Sequence, residues 1–416
     1  MTVQVRQSIL IYGCAFVVVG VTPFLLLPIL TTKLTPAQFG EITSFLVLTA
    51  LLGNLAGLSA HGYVAVRFFK STAEQFKAIV TSSIAAIGAT HVATAVIVIL
   101  LFPILAHALG LSLGYALFAV VAALFLNLNL IFLAIFQSSG QPLLYLRSRL
   151  VQGVFEFTLC VALIYLVAAD ADARIYSYVV AITVSALVGL YYCIRKNQVG
   201  YGVERAPLRN LMRFGVPMLP HIMAGTAITY MDRLVVSSLL GTESLGVYMV
   251  AMQVGMGMIA LIEPLNKALA PWLFDRLAKD EPGVRRMIVK RTYQLYLALA
   301  IVGALVVSAA HFFFDALIGV NFTEARSLIP WMVAGYVLQG MYYSVVNYMF
   351  YAEKTGRLSL VTGTTAVVGC AISYLLTSTF GLQGAAASFA VNNALMFLLV
   401  WVVAAQAEPM PWRLWR

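Results

Sequence analysis

Twelve apolar stretches follow one another along this chain, each long enough to cross a bilayer core as a helix. They fall at 8–32, 42–66, 78–106, 112–137, 148–168 and 175–194, then at 214–240, 245–273, 292–318, 327–351, 358–379 and 383–405. No polar segment between them is long enough to hold a catalytic domain. A membrane β-barrel would show alternating segments of ~10 residues, whereas these runs are continuous, so the spans are helices. Composition agrees: 62% of residues are hydrophobic and 10% charged, against ~45–50% and ~25% in soluble domains. This excludes a water-soluble enzyme, a disordered chain and a nucleic-acid-binding protein. The expected fold is all-α and integral to the membrane, with about twelve transmembrane helices.

Basic residues orient the spans. With both termini cytoplasmic, only Lys33, Arg174 and Arg326 fall outside, and Arg233 and Lys267 fall within spans. That leaves 21 of the 26 lysines and arginines on the inner side, a strong positive-inside bias. The net charge of +10 therefore follows from topology and requires no polyanionic partner. The first apolar run lacks a cleavage site and reads as a helix, not a removed signal. The four cysteines, Cys14, Cys160, Cys193 and Cys370, all lie in expected helices and show no metal-ligand spacing.

The polar, glycine-containing connection 195–213 divides the chain into an N-terminal six-helix bundle (1–194) and a C-terminal one (214–405), followed by a cytoplasmic tail (406–416). The halves echo each other: Leu34 to Gly40 after the first span and Leu240 to Gly246 after the seventh share Leu-x5-Gly. Both halves start on the same side, so the repeat is parallel. No phosphate-binding loop, His-Glu-x-x-His or Gly-x-Ser-x-Gly motif occurs. Transport is the function class that fits.

Five charges sit more than five residues inside the span ends: Glu156, Asp232, Arg233, Glu263 and Lys267. Each costs ~2.5–3.5 kcal/mol at the centre of a lipid-facing helix, so each is expected to face protein or water. Arg233 shares a stripe with Thr226, Thr229 and Ser237, which suggests a wetted face carrying a cation for an anionic head group, with Lys267 as a second rung. Asp232 and Glu263 accompany them. The alternatives are a structural partner for Arg233 and a Lys267 that snorkels near Trp272 or neutralises Glu263. Glu156 reads as a structural partner of Gln152 and Arg149. Tyr336, Gln339, Tyr343 and Asn347 recur at helical spacing on span ten and suit a sugar, or else helix packing. His61 and His221 are candidates for proton coupling, or for packing. Pro23, Pro28, Pro217, Pro220, Pro264 and Pro271 are expected to kink their spans.

Phe214-Gly-Val-Pro-Met-Leu-Pro-His221, Met231-Asp-Arg-Leu234 and Leu240-Gly-Thr-Glu-Ser-Leu-Gly-Val-Tyr248 resemble span seven and the following hairpin of polysaccharide-biosynthesis flippases. Ala352-Glu-Lys-Thr-Gly-Arg357, Phe380-Gly-Leu-Gln-Gly-Ala-Ala-Ala387 and Leu58-Ser-Ala-His-Gly-Tyr-Val-Ala-Val-Arg67 are similar to other segments of that family. The resemblance implies the multidrug/oligosaccharidyl-lipid/polysaccharide exporter superfamily, with two six-helix bundles around a central cavity. It implies a flippase for a polyprenyl-diphosphate-linked oligosaccharide, of the O-antigen (lipopolysaccharide) or exopolysaccharide kind, in the bacterial inner membrane. Arg233 matches the Asp-Arg pair of the family's span seven. No cofactor is implied beyond coupling to a proton or sodium gradient, and the partners are the bilayer, the lipid-linked sugar and other membrane proteins of polysaccharide assembly. The rival on the same fold is a cation-coupled multidrug exporter, whose cavity would present carboxylates. A major-facilitator transporter would carry Gly-x3-Asp-Arg between spans two and three, and an intramembrane glycosyltransferase would carry a large outer loop; neither is present.

Overall fold

A computed structural model describes residues 3–279 and 283–412. Thirteen α-helices and one 3-10 turn account for nearly all of them, and the described residues contain no strand. Arg413 and Arg416, counted above on the inner side, lie outside the described residues. Each expected span coincides with helix, but the helical breaks differ from the span limits. Two helices, α9 (Arg205–Met256, 52 residues) and α13 (Thr355–Ala407, 53 residues), are about twice the length a ~30 Å bilayer needs. α9 holds span seven and the start of span eight, α13 holds spans eleven and twelve, and each is kinked at one glycine: Gly241 at φ 84°, ψ 174° and Gly381 at φ 59°, ψ −139°. Those conformations are open almost only to glycine.

Three spans are broken where continuous helices are expected. Span two divides into α2 (Pro36–Ala56) and α3 (Ala60–Phe68), with Leu58 and Ser59 both left-handed at φ 49°. Span three divides into α4 (Ala73–Leu100) and α5 (Phe102–Leu109), where Pro103 lacks the amide that would continue the ladder. Span eight divides at Gly257–Met258, between α9 and α10 (Ile259–Lys279). The prolines of spans one, seven and eight lie inside helices that continue through them.

The chain forms two compact units, Met1–Glu243 and Ser244–Arg416. Their boundary comes one helix later than the expected division at 195–213. That connection is non-helical only over 196–204, and it is tied to α4 by Gly200 N–H donating to Thr81 Oγ1 (2.7 Å) and Glu204 N–H to Ser82 Oγ (3.1 Å). Leu211, at the start of α9, is fully buried in the first unit's core.

In the first unit α6 (Leu113–Ser138) is the central helix, packed by α2, α3, α4 and α8 (Ala171–Arg195). Its Ile131, Phe132, Ile135 and Phe136 are buried with Tyr63, Val64, Phe76 and Val80. Gly189 lets α8 approach, since a Cβ there would lie 2.7 Å from that of Phe132. Around it run α1 (Val3–Lys33) and α7 (Pro142–Leu166), which pack together. In the second unit α12 (Ala325–Tyr351) is the central helix against α10, α11 (Val284–Leu317) and α13. The tail folds back: Arg285 pairs with Glu408 at 2.7 Å, Tyr293 donates to the Trp412 carbonyl at 2.8 Å, and Trp412 stacks edge-on to Trp401 and Tyr348.

Candidate functional site

Asp232 and Arg233 sit on α9 in the first unit. The Arg233 Nη1 lies 3.1 Å from Asp232 Oδ1, with side chains only 11% and 14% exposed. The same nitrogen donates to the Thr229 carbonyl one turn back, and the guanidinium lies 5.2 Å from the Tyr230 ring centroid. The helix itself therefore holds this cation in place. The stripe expected to be wetted is wet only in part. Thr229 is exposed, but Thr226 and Ser237 are buried, and Thr226 accepts a hydrogen bond from Asn54 Nδ2 of α2 at 2.8 Å. His61, on α3, and His221, on α9, are both exposed.

Glu263, Lys267, Gln339, Tyr343 and Asn347 are brought together in the second unit, where α10 crosses α12. Lys267 Nζ lies 3.7 Å from Glu263 Oε2, and its side chain stays 74% exposed. Glu263 interacts electrostatically with Tyr343, whose hydroxyl lies 3.5 Å from Gln339 Nε2. Asn347 is buried and donates to Asn266 Oδ1 at 2.8 Å, so it ties α12 to α10. Tyr336 is also buried, its ring 5.0 Å from that of Phe389 on α13. These two of the four span-ten residues thus serve packing, while Gln339 and Tyr343 remain half-buried beside Glu263.

Glu156 has a different partner from the one expected. Arg149 donates to Gln152 at 3.0 Å, while Glu156 pairs with Arg174 at 2.7 Å, both side chains 7% exposed or less. Arg174 was counted with the outer connections, yet it is the fourth residue of α8 and fully enclosed, with Tyr178 one turn on packing over its guanidinium. The sequence signal for this was the acid on one helix and the arginine–tyrosine turn on the next. A second buried network continues from Gln152 through Asn129 (3.3 Å) to Ser185 (3.1 Å) and Ser148 (3.0 Å). Among the described residues no group of three His, Cys, Asp or Glu is arranged to hold a metal ion.

A family model described as polysaccharide biosynthesis protein matches residues 5–276. The chain belongs to the polysaccharide biosynthesis protein family. A membrane protein of Haemophilus influenzae, described as uncharacterised, is 26% identical over 352 residues, 81% of each chain. Among solved structures, the lipid II flippase MurJ in an inward closed conformation superposes with a TM-score of 0.69 at 13% identity, over 96% of this chain and 86% of that one. An inward-facing multidrug-resistance MATE transporter of the MOP superfamily gives 0.67 at 15% identity, over 96% and 97%. At such identities the likeness is one of fold. This polysaccharide biosynthesis protein is thus a multi-pass helical membrane protein with the exporter fold of that superfamily.

Proposed function

We propose that this family member is a flippase. It moves a polyprenyl-diphosphate-linked oligosaccharide, an O-antigen or exopolysaccharide repeat unit, from the cytoplasmic to the outer leaflet of a bacterial inner membrane by alternating access, with both termini cytoplasmic. The observation that carries this reading is Lys267. An ammonium 74% exposed on a spanning helix is tolerated when it faces water, since facing lipid at the bilayer centre would cost ~2.5–3.5 kcal/mol. Such a cation offers a counter-charge to a diphosphate, and Gln339 and Tyr343 nearby offer the amide and aromatic hydroxyl that suit a sugar. In the first unit Arg233, clamped by Asp232, offers a planar fork that binds phosphate oxygens in pairs. Coupling to a proton or sodium gradient is part of the same proposal, with the exposed His61 and His221 as proton carriers.

The test is to extract polyprenyl-linked intermediates from cells with and without the protein and weigh them by mass spectrometry, in a strain with no second flippase. Loss of the protein is expected to accumulate a diphosphate-linked oligosaccharide on the cytoplasmic leaflet, and its mass identifies the cargo. An unchanged lipid pool would move the multidrug-exporter reading ahead.

A further inference from the structure

On the second unit a cavity of about 560 Å³ opens between α10, α11 and α12, within the ~300–1,000 Å³ range of single-ligand sites. Its walls are mostly apolar, with Leu269, Leu273, Ile288, Leu295 and Trp272, and Thr292, Ser344 and Asn347 add a polar margin. Arg291 lies exposed at its edge, hydrogen-bonded to Gln294 on its own helix at 3.2 Å, and no carboxylate among the described residues pairs with it. Arg286 and Lys290, both exposed, precede it along α11. The positive-inside bias assigns this end of the helices to the cytoplasmic leaflet.

Asn347, which ties α12 to α10, is among the cavity's lining residues, but Glu263 and Lys267 are not. At 3.6 residues per turn, Leu265, Ala268, Leu269 and Trp272, which line it, fall roughly opposite Glu263 and Lys267 on α10. A mostly apolar slot is a poor container for water. With an unneutralised cation at its mouth, it fits a molecule that is hydrocarbon at one end and anionic at the other. The cytoplasmic leaflet supplies such molecules, and basic pockets between spanning helices on that side hold anionic head groups.

We propose that this cavity binds an anionic phospholipid of the cytoplasmic leaflet, with one acyl chain against Leu269, Leu273 and Leu295 and the phosphate on Arg291. The bound lipid braces α10 from the face opposite Glu263 and Lys267.

The test is to titrate the purified full-length protein in detergent with cardiolipin, phosphatidylglycerol or phosphatidylcholine while following its melting temperature. The anionic lipids are expected to raise it saturably and phosphatidylcholine is not. Arg291→Gln should move half-saturation about fivefold higher, and Ala268→Trp, which fills the slot, should abolish the saturable rise. An equal rise with phosphatidylcholine, the same rise with inorganic phosphate alone, or an unchanged titration of Ala268→Trp would overturn the proposal. If Ala268→Trp does not fold, phosphatidylglycerol with a photoreactive acyl chain decides on the unaltered protein. Crosslinks within 265–273 and 288–298 support the site, and crosslinks confined elsewhere refute it.

Discussion

At the scale of single side chains, what matters is which charges have partners. Glu156 and Arg174 are both buried and bonded to each other at 2.7 Å, so removing either leaves its partner charged inside a low-dielectric bundle. Glu156→Ala or Arg174→Ala is expected to destabilise the protein by about 3–5 kcal/mol, whereas the double replacement by leucine should recover most of that loss. Thermal melts of the three variants in detergent would show this, and a double variant no more stable than the singles would contradict it. Arg233 carries a different prediction because Asp232 and the Thr229 carbonyl, on its own helix, both bond to it. Arg233→Ala is expected to leave the melting temperature within a few degrees while lowering transport about tenfold. Arg233→Lys should restore only part of the activity, since an ammonium keeps the charge and loses the fork. Accumulation of lipid-linked intermediates in complemented cells measures both.

At the scale of helices, the breaks are built by neighbours as much as by local sequence. Span two ends α2 with two residues in a left-handed conformation that costs ~1–2 kcal/mol per residue outside glycine. Other helices bond to the carbonyls there: Thr90 of α4 donates to Ala56 O at 2.7 Å, and Asn127 of α6 donates to Gly53 O at 3.0 Å, beside the helical bond that Gly53 O accepts from Gly57 N–H at 2.9 Å. Within a bilayer such partners are a requirement, because no water is present to replace them. The room is equally constrained, since a Cβ on Gly57 would meet Asn127 Oδ1 at 2.2 Å, and one on Gly215 of α9 would meet the Leu58 carbonyl at 2.3 Å. Asn127→Ala is accordingly expected to destabilise the protein by about 1–3 kcal/mol. The kinks within α9 and α13 depend on backbone freedom instead. Gly241→Ala and Gly381→Ala should each cost about 1–3 kcal/mol, seen as lower melting temperatures. Little change at either position would mean that the turn can be made another way.

At the scale of the whole molecule, the helices form two compact units and the basic residues assign their ends to sides of the membrane. Two contacts join residues that this assignment puts on the same side. Lys33 at the end of α1 lies over the Tyr165 ring at the end of α7, both expected outside. Lys77 at the start of α4 bonds to Asn197 in the 196–204 connection, both expected inside. The topology predicts that a cysteine at Gly202, in a cysteine-free background, reacts with an impermeant thiol reagent only after the inner face is opened. One at Thr323 should react in intact cells once the outer membrane is permeabilised. The reverse pattern would invert every span.

The sequence alone determined the class of molecule and its spans, because both follow from how many apolar residues a bilayer requires, and the lysines and arginines supply an expected sidedness. It also placed a Leu-x5-Gly segment after spans one and seven: Leu34 precedes α2, capped by Thr35 and Gln38, and Leu240 precedes the kink at Gly241. It did not reveal that Glu156 belongs with Arg174, that Asn347 bonds Asn266, or that span two breaks at Leu58. Nor did it reveal that the residues from 205 onward join the first unit's core. Those depend on which residues of different helices meet, and helical periodicity records only which face a residue lies on. Which helix meets that face is decided by packing, where a missing Cβ at Gly57, Gly189 or Gly215 permits one approach and a buried polar group finds its partner only once that approach is made.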